Sequence, residues 1–332
     1  MHKRRIMVTG GAGFIGSNFV RYWDNKYPED LIIIVDKLTY AGKKENLEGY
    51  LNKPNIKFYH QDICDQLLML QIMKDHDVDI VVHFAAESHV DRSIVSPGQF
   101  LKTNIEGTYS LLEAARTAWE AFDNKLFLHI STDEVYGSLD LKDQPFTTSS
   151  QYRPNNPYSA SKAASDHLVR AYIMTYGLPA IITHCSNNYG PRQDEEKFIP
   201  TVIKNAIKGT PIPIYGDGMN IRDWLYVEDH CSALEVIIQS GMIGKVYNIG
   251  GNCEMTNIDL ARLICRKVDG ILEREEGSTE KLITFVNDRL GHDKRYATDN
   301  HEIKQLGWEP VTDIHTGLNK TIQWFYQKYN SS

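Results

Sequence analysis

The stretch Val8-Thr9-Gly10-Gly11-Ala12-Gly13-Phe14-Ile15-Gly16 decides the fold, because a glycine-rich turn here joins an apolar run to a segment with helical spacing. Its glycines at positions 10, 13 and 16 follow a G-x-x-G-x-x-G pattern. Such a turn lets the backbone approach a pyrophosphate and aims a helix N-terminus at its charge. The stretch therefore predicts a dinucleotide-binding turn, with cofactor contacts from Gly10, Gly13, Phe14, Ile15 and Gly16.

An acidic residue at the end of the next apolar run supports the same prediction. Asp36 follows residues 31–35 and lies 20 positions after Gly16. A carboxylate at the end of the second strand can accept hydrogen bonds from the ribose hydroxyls. Because it would repel a 2'-phosphate, the sequence favours NAD over NADP.

Strand-like and helix-like segments alternate through the first half of the chain. The strand-like runs are apolar on both faces, which is typical of a parallel sheet covered by helices on both sides. They are residues 6–8, 31–35, 56–59, 80–84, 126–130 and 180–183, and the helices are predicted over 14–23, 66–74, 99–122 and 158–176. The fold class is therefore α/β, with a doubly wound Rossmann domain. We predict this NAD-binding domain over 1–184, with 224–250 returning to it, and a smaller α/β substrate domain mainly within 185–332.

Composition narrows the class of protein. The 332 residues are 42% hydrophobic and 24% charged, and the net charge of -7 gives no sign of nucleic-acid binding. The five cysteines are scattered without a C-x-x-C pair, which predicts free thiols in the cytoplasm and no metal site. No apolar run approaches the roughly 18 residues of a membrane span. Since the first run is only residues 6–8, we expect no signal peptide and no membrane partner.

Ligands of open α/β sheets bind beyond the carboxyl ends of the strands, so residues there are further cofactor candidates. Small side chains at Ala85 and Ala86 would let a cofactor lie against the backbone. Asp62 could lie near an adenine or simply begin a surface helix. The further candidates are Lys37, Thr39, Asp62, Ile63, Ala85, Ala86, Ser88, Thr103 and Asn188. His89 is more typical of a solvated residue than of a base, and Asp91 with Arg92 could be a surface ion pair.

Tyr158 and Lys162 are four residues apart on a predicted helix and so share one face. Such a pair is usually packing beside a solvated amine. Next to a dinucleotide fold, however, the ammonium would stabilise the phenolate and lower a pKa that starts near 10. The phenol could then take a proton from an alcohol while hydride leaves to nicotinamide.

Two adjacent acids, Asp133 and Glu134, follow the strand predicted at 126–130. Acids at a strand end often mark nothing more than a wet loop. Here the stretch 131–137, the turn 10–16 and the pair Tyr158/Lys162 together resemble the extended short-chain dehydrogenase/reductases that act on nucleotide sugars. Segments 85–93 and 131–137, and Tyr296 with its flanks, resemble the 4,6-dehydratase branch of that family, and the likeness covers essentially the whole chain. One departure is Leu290, where the family usually has proline.

The resemblance implies dehydration of dTDP-glucose to a 4-keto-6-deoxy sugar with NAD regenerated. Tyr158, Lys162 and Thr132 would oxidise C4, after which Glu134 would remove the C5 proton and Asp133 would protonate the departing C6 hydroxyl. Asp133 must then carry a proton near neutral pH, so we predict a pKa raised by burial or by Glu134. Spacing alone does not assign the two acids their roles.

The substrate side is predicted from the second half of the chain. Arg222 and Arg289 could each hold a diphosphate bidentately, or could form ion pairs with Asp223 and Asp288. The extended segment 211–216 could cover a nucleobase, and Asn187 and Asn188 could be ordinary turn residues. The complete predicted substrate set is Ser88, Thr132, Asn187, Lys197, Pro213, Tyr215, Arg222, Asn257, Arg289, His292 and Tyr296.

Three alternatives remain open at this point. Another nucleotide-sugar dehydratase would use the same residues on a different nucleobase. A 4-epimerase or decarboxylase of the same fold would need Tyr158 and Lys162 but no acid pair for C5 and C6. An NAD-binding regulator without activity would tolerate the loss of all of them. The resemblance further implies a homodimer through the helices at 99–122 and 158–176, and a role in supplying deoxysugars such as rhamnose for surface polysaccharide.

Overall fold

The computed structural model describes residues 3–330, so the outermost residues of the two predicted domain ranges, 1–2 and 331–332, lie outside it. The strands are β1 Arg5–Thr9, β2 Leu31–Asp36, β3 Ile56–His60, β4 Ile80–His83, β5 Leu126–Thr132, β6 Ala180–Cys185, β7 Asn187–Tyr189, β8 Ile212–Tyr215, β9 Ile221–Tyr226, β10 Val246–Ile249, β11 Glu254–Thr256 and β12 Ile283–Val286. The helices are α1 Phe14–Lys26, α2 Gln66–Asp75, α3 Val90–Val95, α4 Pro97–Phe100, α5 Gly107–Ala118, α6 Pro157–Tyr176, α7 Phe198–Lys208, α8 Val227–Ser240, α9 Asn257–Ile271, α10 His301–Lys304 and α11 Ile314–Asn330.

The centre of the fold is a parallel sheet, which over residues 3–330 has seven strands in the order β10-β6-β5-β4-β1-β2-β3. The predicted doubly wound α/β class is confirmed. The strand order reverses direction between β1 and β4, and in such sheets a crevice opens there at the carboxyl edge. Strand β10, from the segment predicted to return to this part of the chain, forms the edge next to β6.

Helices cover both faces of the sheet because its strands are apolar on both sides. Helices α1 and α8 pack together on one face, and α2, α5 and α6 pack along the other. Every residue of β5 is buried. Each fully buried Ile or Val of these strands contributes about 1.5–3 kcal/mol to stability, so the sheet is a rigid support for the residues at its edge.

A second apolar core lies among α7, α9 and α11. Beside it are the parallel pair β8–β12 and a sheet in which β9 lies between β11 and β7. Trp308 is buried in the first core, and Trp324 is half-buried beside Phe325, so neither is exposed for ligand contact.

The helix predicted over 99–122 is wrong in two respects. A π-helical turn, Leu101–Glu106, separates α4 from α5, and it brings the buried Asn104 to hydrogen-bond the backbone N–H and carbonyl of Glu87. The helix also ends at Ala118, because Trp119 leaves the helical path and its indole N–H donates to the carbonyl of Val78 at 2.8 Å. Both differences depend on contacts that a local pattern does not contain.

Candidate active site

A cleft opens at the carboxyl edge of the sheet, and every residue predicted to contact the cofactor lines it. The five predicted catalytic residues also line it: Thr132, Asp133, Glu134, Tyr158 and Lys162. The sheet brings them together because parallel strands all end at this edge. Their contacts with a cofactor or a substrate stay predictions.

The glycine-rich turn forms one end of this cleft and leaves no room for side chains. Gly10 has a φ of +68°, and a Cβ on it would lie 2.7 Å from the backbone nitrogen of Ala85. A Cβ on Gly16 would collide with the carbonyl oxygen of Gly10. Helix α1 then begins without a side-chain cap at Gly13, which leaves the N–H groups of its first turn available to an anion. This cradle fits the pyrophosphate of a dinucleotide.

Asp36 is fixed at the end of β2, where a ribose would lie. Its two carboxylate oxygens accept the backbone N–H groups of Ala12 and Leu38 at 2.9 and 2.8 Å. Lys37, beside it, is held by Asp62 at 2.6 Å. A lysine paired in this way leaves the Asp36 carboxylate to set the local charge, and the residues present therefore fit NAD.

The adjacent acids stand where β5 ends and a 3₁₀ turn, Asp133–Tyr136, begins. Asp133 is buried, and its Oδ2 has no hydrogen-bond partner in the described part of the chain. Burial and the neighbouring charge of Glu134 raise the pKa of Asp133 well above its usual range, as the sequence predicts. Burial also raises the pKa of Glu134, while Arg222 and Lys197 oppose that rise. The arrangement suits a protonated Asp133 next to Glu134, whose ionised form is favoured by the nearby cations Arg222 and Lys197.

Helix α6 presents Tyr158 and Lys162 to the same cleft. Its start is fixed by a capping box in which Asn156 accepts from the N–H of Ser159 at 2.9 Å. The prediction that Lys162 lowers the pKa of Tyr158 is wrong for the polypeptide by itself. The Lys162 ammonium donates to the carbonyl of Ile130 at 2.9 Å, while burial and the charge of Glu134 raise the pKa of the phenol.

Arg222 approaches the acid pair from the substrate side. It is 7% exposed, donates to the carbonyl of Asp293 at 3.0 Å and lies 4.3 Å from the ring centroid of Tyr296. The alternative of an ion pair with Asp223 is wrong, because that carboxylate accepts the backbone N–H groups of residues 251 and 253. Arg222 is thus a buried cation that favours the ionised form of Glu134.

Arg289 is not among the described residues that line the cleft, and it pairs with an acid outside it. Its guanidinium binds Asp91 bidentately at 2.5 and 2.9 Å and lies 5.1 Å from the ring centroid of Tyr215. The alternative pairing with Asp288 is wrong, because that side chain binds His292 at 2.6 Å. The suggested Asp91–Arg92 pair is also replaced, since Arg92 binds Glu196 at 2.6 Å.

The other predicted substrate residues divide into two groups. Ser88, Asn187 and Lys197 line the cleft, and the Lys197 ammonium donates to the Ser88 carbonyl at 2.8 Å. Pro213, in β8, and Asn257, at the start of α9, are not among the residues of the described chain that line it. A role for these two in nucleobase binding stays a prediction.

Sequence reasoning missed several residues of the cleft. Tyr40, Glu87 and Cys185 all line it. Their positions just beyond β2, just beyond β4 and at the end of β6 were a usable signal, because those strand ends meet at one edge. Asp166, buried one helical turn beyond Lys162, was also missed, since a buried acid on a helix has no local mark.

Two further features of the structure concern metal ions and membranes. Across residues 3–330, no group of three or more His, Cys, Asp or Glu side chains could hold a metal ion. Within the same residues, no helix combines the length and apolar character that crossing a membrane requires. All five cysteines are free thiols.

Comparison with known proteins gives a consistent set of relatives. The family model described as GDP-mannose 4,6 dehydratase matches residues 7–321. A dTDP-glucose 4,6-dehydratase of Neisseria meningitidis is 50% identical, covering 97% of this chain and 93% of the relative. The crystal structure of a dTDP-glucose 4,6-dehydratase from Streptomyces venezuelae with NAD bound has a TM-score of 0.90 at 42% identity, covering 98% of both chains. A UDP-glucose 4-epimerase of Thermotoga maritima reaches 0.86 at 30% identity, covering 98% of this chain and 99% of the epimerase.

Proposed function

The chain belongs to the dTDP-glucose 4,6-dehydratase family, and from that premise we propose that it converts dTDP-glucose to a 4-keto-6-deoxyglucose nucleotide with NAD. One observation carries the proposal: the acid pair of a buried Asp133 and a half-buried Glu134 shares a cleft with Tyr158 and Lys162. Loss of water needs both an acid and a base next to the carbon that is oxidised, and this cleft contains them.

The first step is oxidation of the sugar at C4. When bound, NAD would supply the hydride acceptor for C4 and the hydride donor for C6. Tyr158 takes the proton of the C4 hydroxyl, and Thr132 holds the C4 oxygen. Lys162 supplies a positive charge next to the tyrosine, and the charge of a bound nicotinamide would add to it. Together these charges oppose the burial that raises the pKa of Tyr158 in the polypeptide.

The second step is elimination of water across C5 and C6. The new C4 ketone acidifies the C5 proton, which Glu134 removes because Arg222 and Lys197 favour its ionised form. Asp133, which burial keeps protonated, donates a proton to the C6 hydroxyl as it leaves as water. After the hydride reaches C6, Glu134 returns a proton to C5, and the net change is loss of one water.

The second half of the chain supplies charge for the nucleotide. We propose that Arg222 and Arg289 bind the diphosphate; Tyr296 lies beside Arg222, and Tyr215 lies between Arg289 and His292. Guanidinium groups suit this task because two parallel N–H donors match two phosphate oxygens. Arg289 would exchange Asp91 for phosphate when the substrate binds.

A 4-epimerase is the second candidate, because an epimerase with a TM-score of 0.86 has the same fold. Fold alone therefore does not decide between the two activities. An epimerase needs the ketone at C4 but has no step at C5 or C6 that would use a buried protonated acid. The unpartnered Oδ2 of Asp133, within the described residues, favours the dehydratase.

We also propose a homodimer in a reducing compartment such as the cytoplasm, which supplies deoxysugars such as rhamnose for surface polysaccharide. Large apolar side chains are exposed on α5, α6 and the π-helical turn before α5, which supports a helix-pair interface: Leu101, Tyr109, Met174 and Tyr176. The five free thiols support the compartment. A mass measurement in solution tests the dimer.

The direct test of function is a panel of nucleoside-diphosphate glucoses with identification of each product. We expect dTDP-glucose to give a 4-keto-6-deoxy product with no net NADH, and uridine or cytidine analogues to react more slowly. Inversion at C4 with retention of the C6 hydroxyl would instead establish the epimerase.

A further inference from the structure

Beneath the acid pair lies a buried carboxylate that the proposed chemistry does not use. Asp166 is 1% exposed and lies on α6 four residues after Lys162, so Tyr158, Lys162 and Asp166 follow one another along one helix face. Its Oδ2 accepts hydrogen bonds from Ser131 at 3.0 Å, Tyr152 at 3.1 Å and His184 at 2.9 Å. A buried charge with this many partners is expensive to desolvate, so its position calls for an explanation.

The contacts of Asp166 enclose the backbone group that holds Lys162. His129 Nε2 lies 3.2 Å from Oδ1 of Asp166, and Ser131 donates to Oδ2. These two residues flank Ile130 in β5, and alternate side chains of a strand point to the same face. The carbonyl of Ile130 accepts the Lys162 ammonium at 2.9 Å. Asp166 therefore fixes β5 on both sides of that carbonyl, one residue before Thr132.

The negative charge of Asp166 has a second consequence, which concerns the ammonium of Lys162. The titratable groups that interact with the charge of this ammonium are His83 on β4, His129 on β5, Cys185 on β6 and Asp166 on α6. Burial lowers the pKa of both histidines, to about 4 for His129, and raises that of the Cys185 thiol to about 12. Those groups are therefore uncharged near neutral pH.

Asp166 is ionised under the same conditions. Burial acts to raise its pKa, but the hydrogen bond from His184 and the close contact with His129 outweigh burial and hold the pKa well below its usual range. Its negative charge opposes the burial that lowers the pKa of Lys162. Asp166 thus offsets a buried cation that would otherwise tend to lose its proton.

We infer that Asp166 is a positioning residue for the oxidation step: its carboxylate keeps Lys162 cationic and holds the end of β5 in register with α6. The inference rests on the proposed function, because it explains how Lys162 stays charged in a dry cleft beside the C4 oxygen. Asp166 acts only through Lys162 and β5 and does not touch the substrate.

The test is the pH dependence of kcat for Asp166→Asn in the full-length, NAD-loaded enzyme. Lys162 is cationic below its pKa, and removal of a nearby anion lowers that pKa, so loss of the ammonium begins at a lower pH. We expect the alkaline limb of the kcat profile to move down by about 1 pH unit or more. Asp166→Glu, which keeps the charge, should retain the wild-type limb.

Asp229→Asn is the matched control. Asp229 is also buried, at 4% exposure, but its carboxylate binds Thr312. The inference would be overturned if the alkaline limb of the Asp166→Asn kcat profile coincided with the limbs of the wild type and of Asp229→Asn. A shifted alkaline limb in Asp166→Glu would also overturn it. If Asp166→Asn does not fold, the kcat profile of Asp166→Glu still tests the inference, because a shifted alkaline limb in that variant would overturn it.

The affinity for NAD as a function of pH gives a readout that needs no substrate. Because Lys162 lines the cofactor cleft, its deprotonation should weaken NAD binding, and this transition should shift in Asp166→Asn in the same direction as kcat. A wild-type enzyme without activity on dTDP-glucose would refute the proposed function, while the NAD titration would still test the role of Asp166.

Discussion

The two walls of the cleft are built in different ways. The cofactor wall is mainly backbone: Gly10 and Gly16 have no room for a Cβ, and Asp36 is fixed by two backbone N–H groups. The substrate wall that we propose continues beyond the residues that line the cleft, and it is mainly charged side chains from segments far apart in sequence, such as Asp91 and Arg289, which are 198 residues apart.

This difference predicts different responses to mutation. A backbone cradle cannot adapt when an atom is added, so its defects should appear as lost affinity for NAD. Side-chain ion pairs can exchange partners, so changes on the substrate wall should be graded and should appear in KM. Tyr158 and the acids lie where the walls meet, and their loss should appear in kcat.

The largest expected effect is at that junction. Tyr158→Phe removes the hydroxyl that we propose takes the C4 proton, and we expect kcat to fall by about 10²–10⁴-fold. Affinity for NAD and KM should change little, because the ring and its packing against Phe100 are retained. Steady-state kinetics with a separate NAD titration check this. A variant with wild-type kcat would show that another group takes the proton.

Next in size is a test of the cofactor wall. Gly16→Ala places a Cβ against the carbonyl of Gly10, and overpacking of this kind costs about 1–3 kcal/mol. We expect NAD affinity about 10–100-fold weaker by equilibrium titration. Gly270→Ala, in α9 with open space around its Cβ, is the control and should leave NAD binding unchanged. Equal affinity in both variants would contradict a rigid backbone cradle.

A smaller effect is expected on the substrate wall. Arg289→Lys keeps the positive charge but loses the two parallel donors, so KM for dTDP-glucose should rise about 10-fold. NAD affinity and kcat should stay within about 3-fold of wild type, because the ion pair lies outside the cofactor cradle. Arg266→Lys, in an exposed pair with Glu280, is the control. A defect confined to NAD binding would contradict this account, because it would place Arg289 on the cofactor wall.

The smallest expected effect concerns Asp91, the partner of Arg289. Asp91 holds Arg289 and should compete with the substrate diphosphate for it. Because a partly exposed ion pair contributes only about 0.2–1 kcal/mol, we expect Asp91→Asn to bind dTDP up to about 5-fold more tightly by calorimetry. Weaker binding would mean that Asp91 orients Arg289 for the nucleotide instead of competing with it.

The same contrast explains how much the sequence could predict. The turn at Gly10–Gly16, the doubly wound parallel sheet and the placement of Tyr158 and Lys162 follow from local patterns, because parallel strands must end at one edge. The sequence also predicts the raised pKa of Asp133, since burial and an adjacent acid are visible in it. These features need no knowledge of distant contacts.

Features that depend on distant contacts could not be predicted. The sequence suggests Arg92 as a possible partner of Asp91, and Asp288 as a possible partner of Arg289, because neighbours in sequence are the only partners that a pattern offers. The π-helical turn that carries Asn104 arises from hydrogen bonds to Glu87 and Ser161. The predicted direction of the Tyr158 pKa shift is wrong because burial and the charge of Glu134 raise that pKa, while the Lys162 ammonium binds the carbonyl of Ile130, a contact across 32 residues.

The central claim is that the acid pair converts an oxidised sugar into a dehydrated one, and single-turnover kinetics of Glu134→Gln test it most directly. Glutamine keeps the size of the side chain but cannot remove the C5 proton, so oxidation at C4 should continue while elimination slows by about 10²–10⁴-fold. We predict that reduced nicotinamide accumulates and persists in this variant, whereas in the wild type it forms only transiently. Elimination at the wild-type rate in Glu134→Gln, with no persistent reduced nicotinamide, would contradict the account.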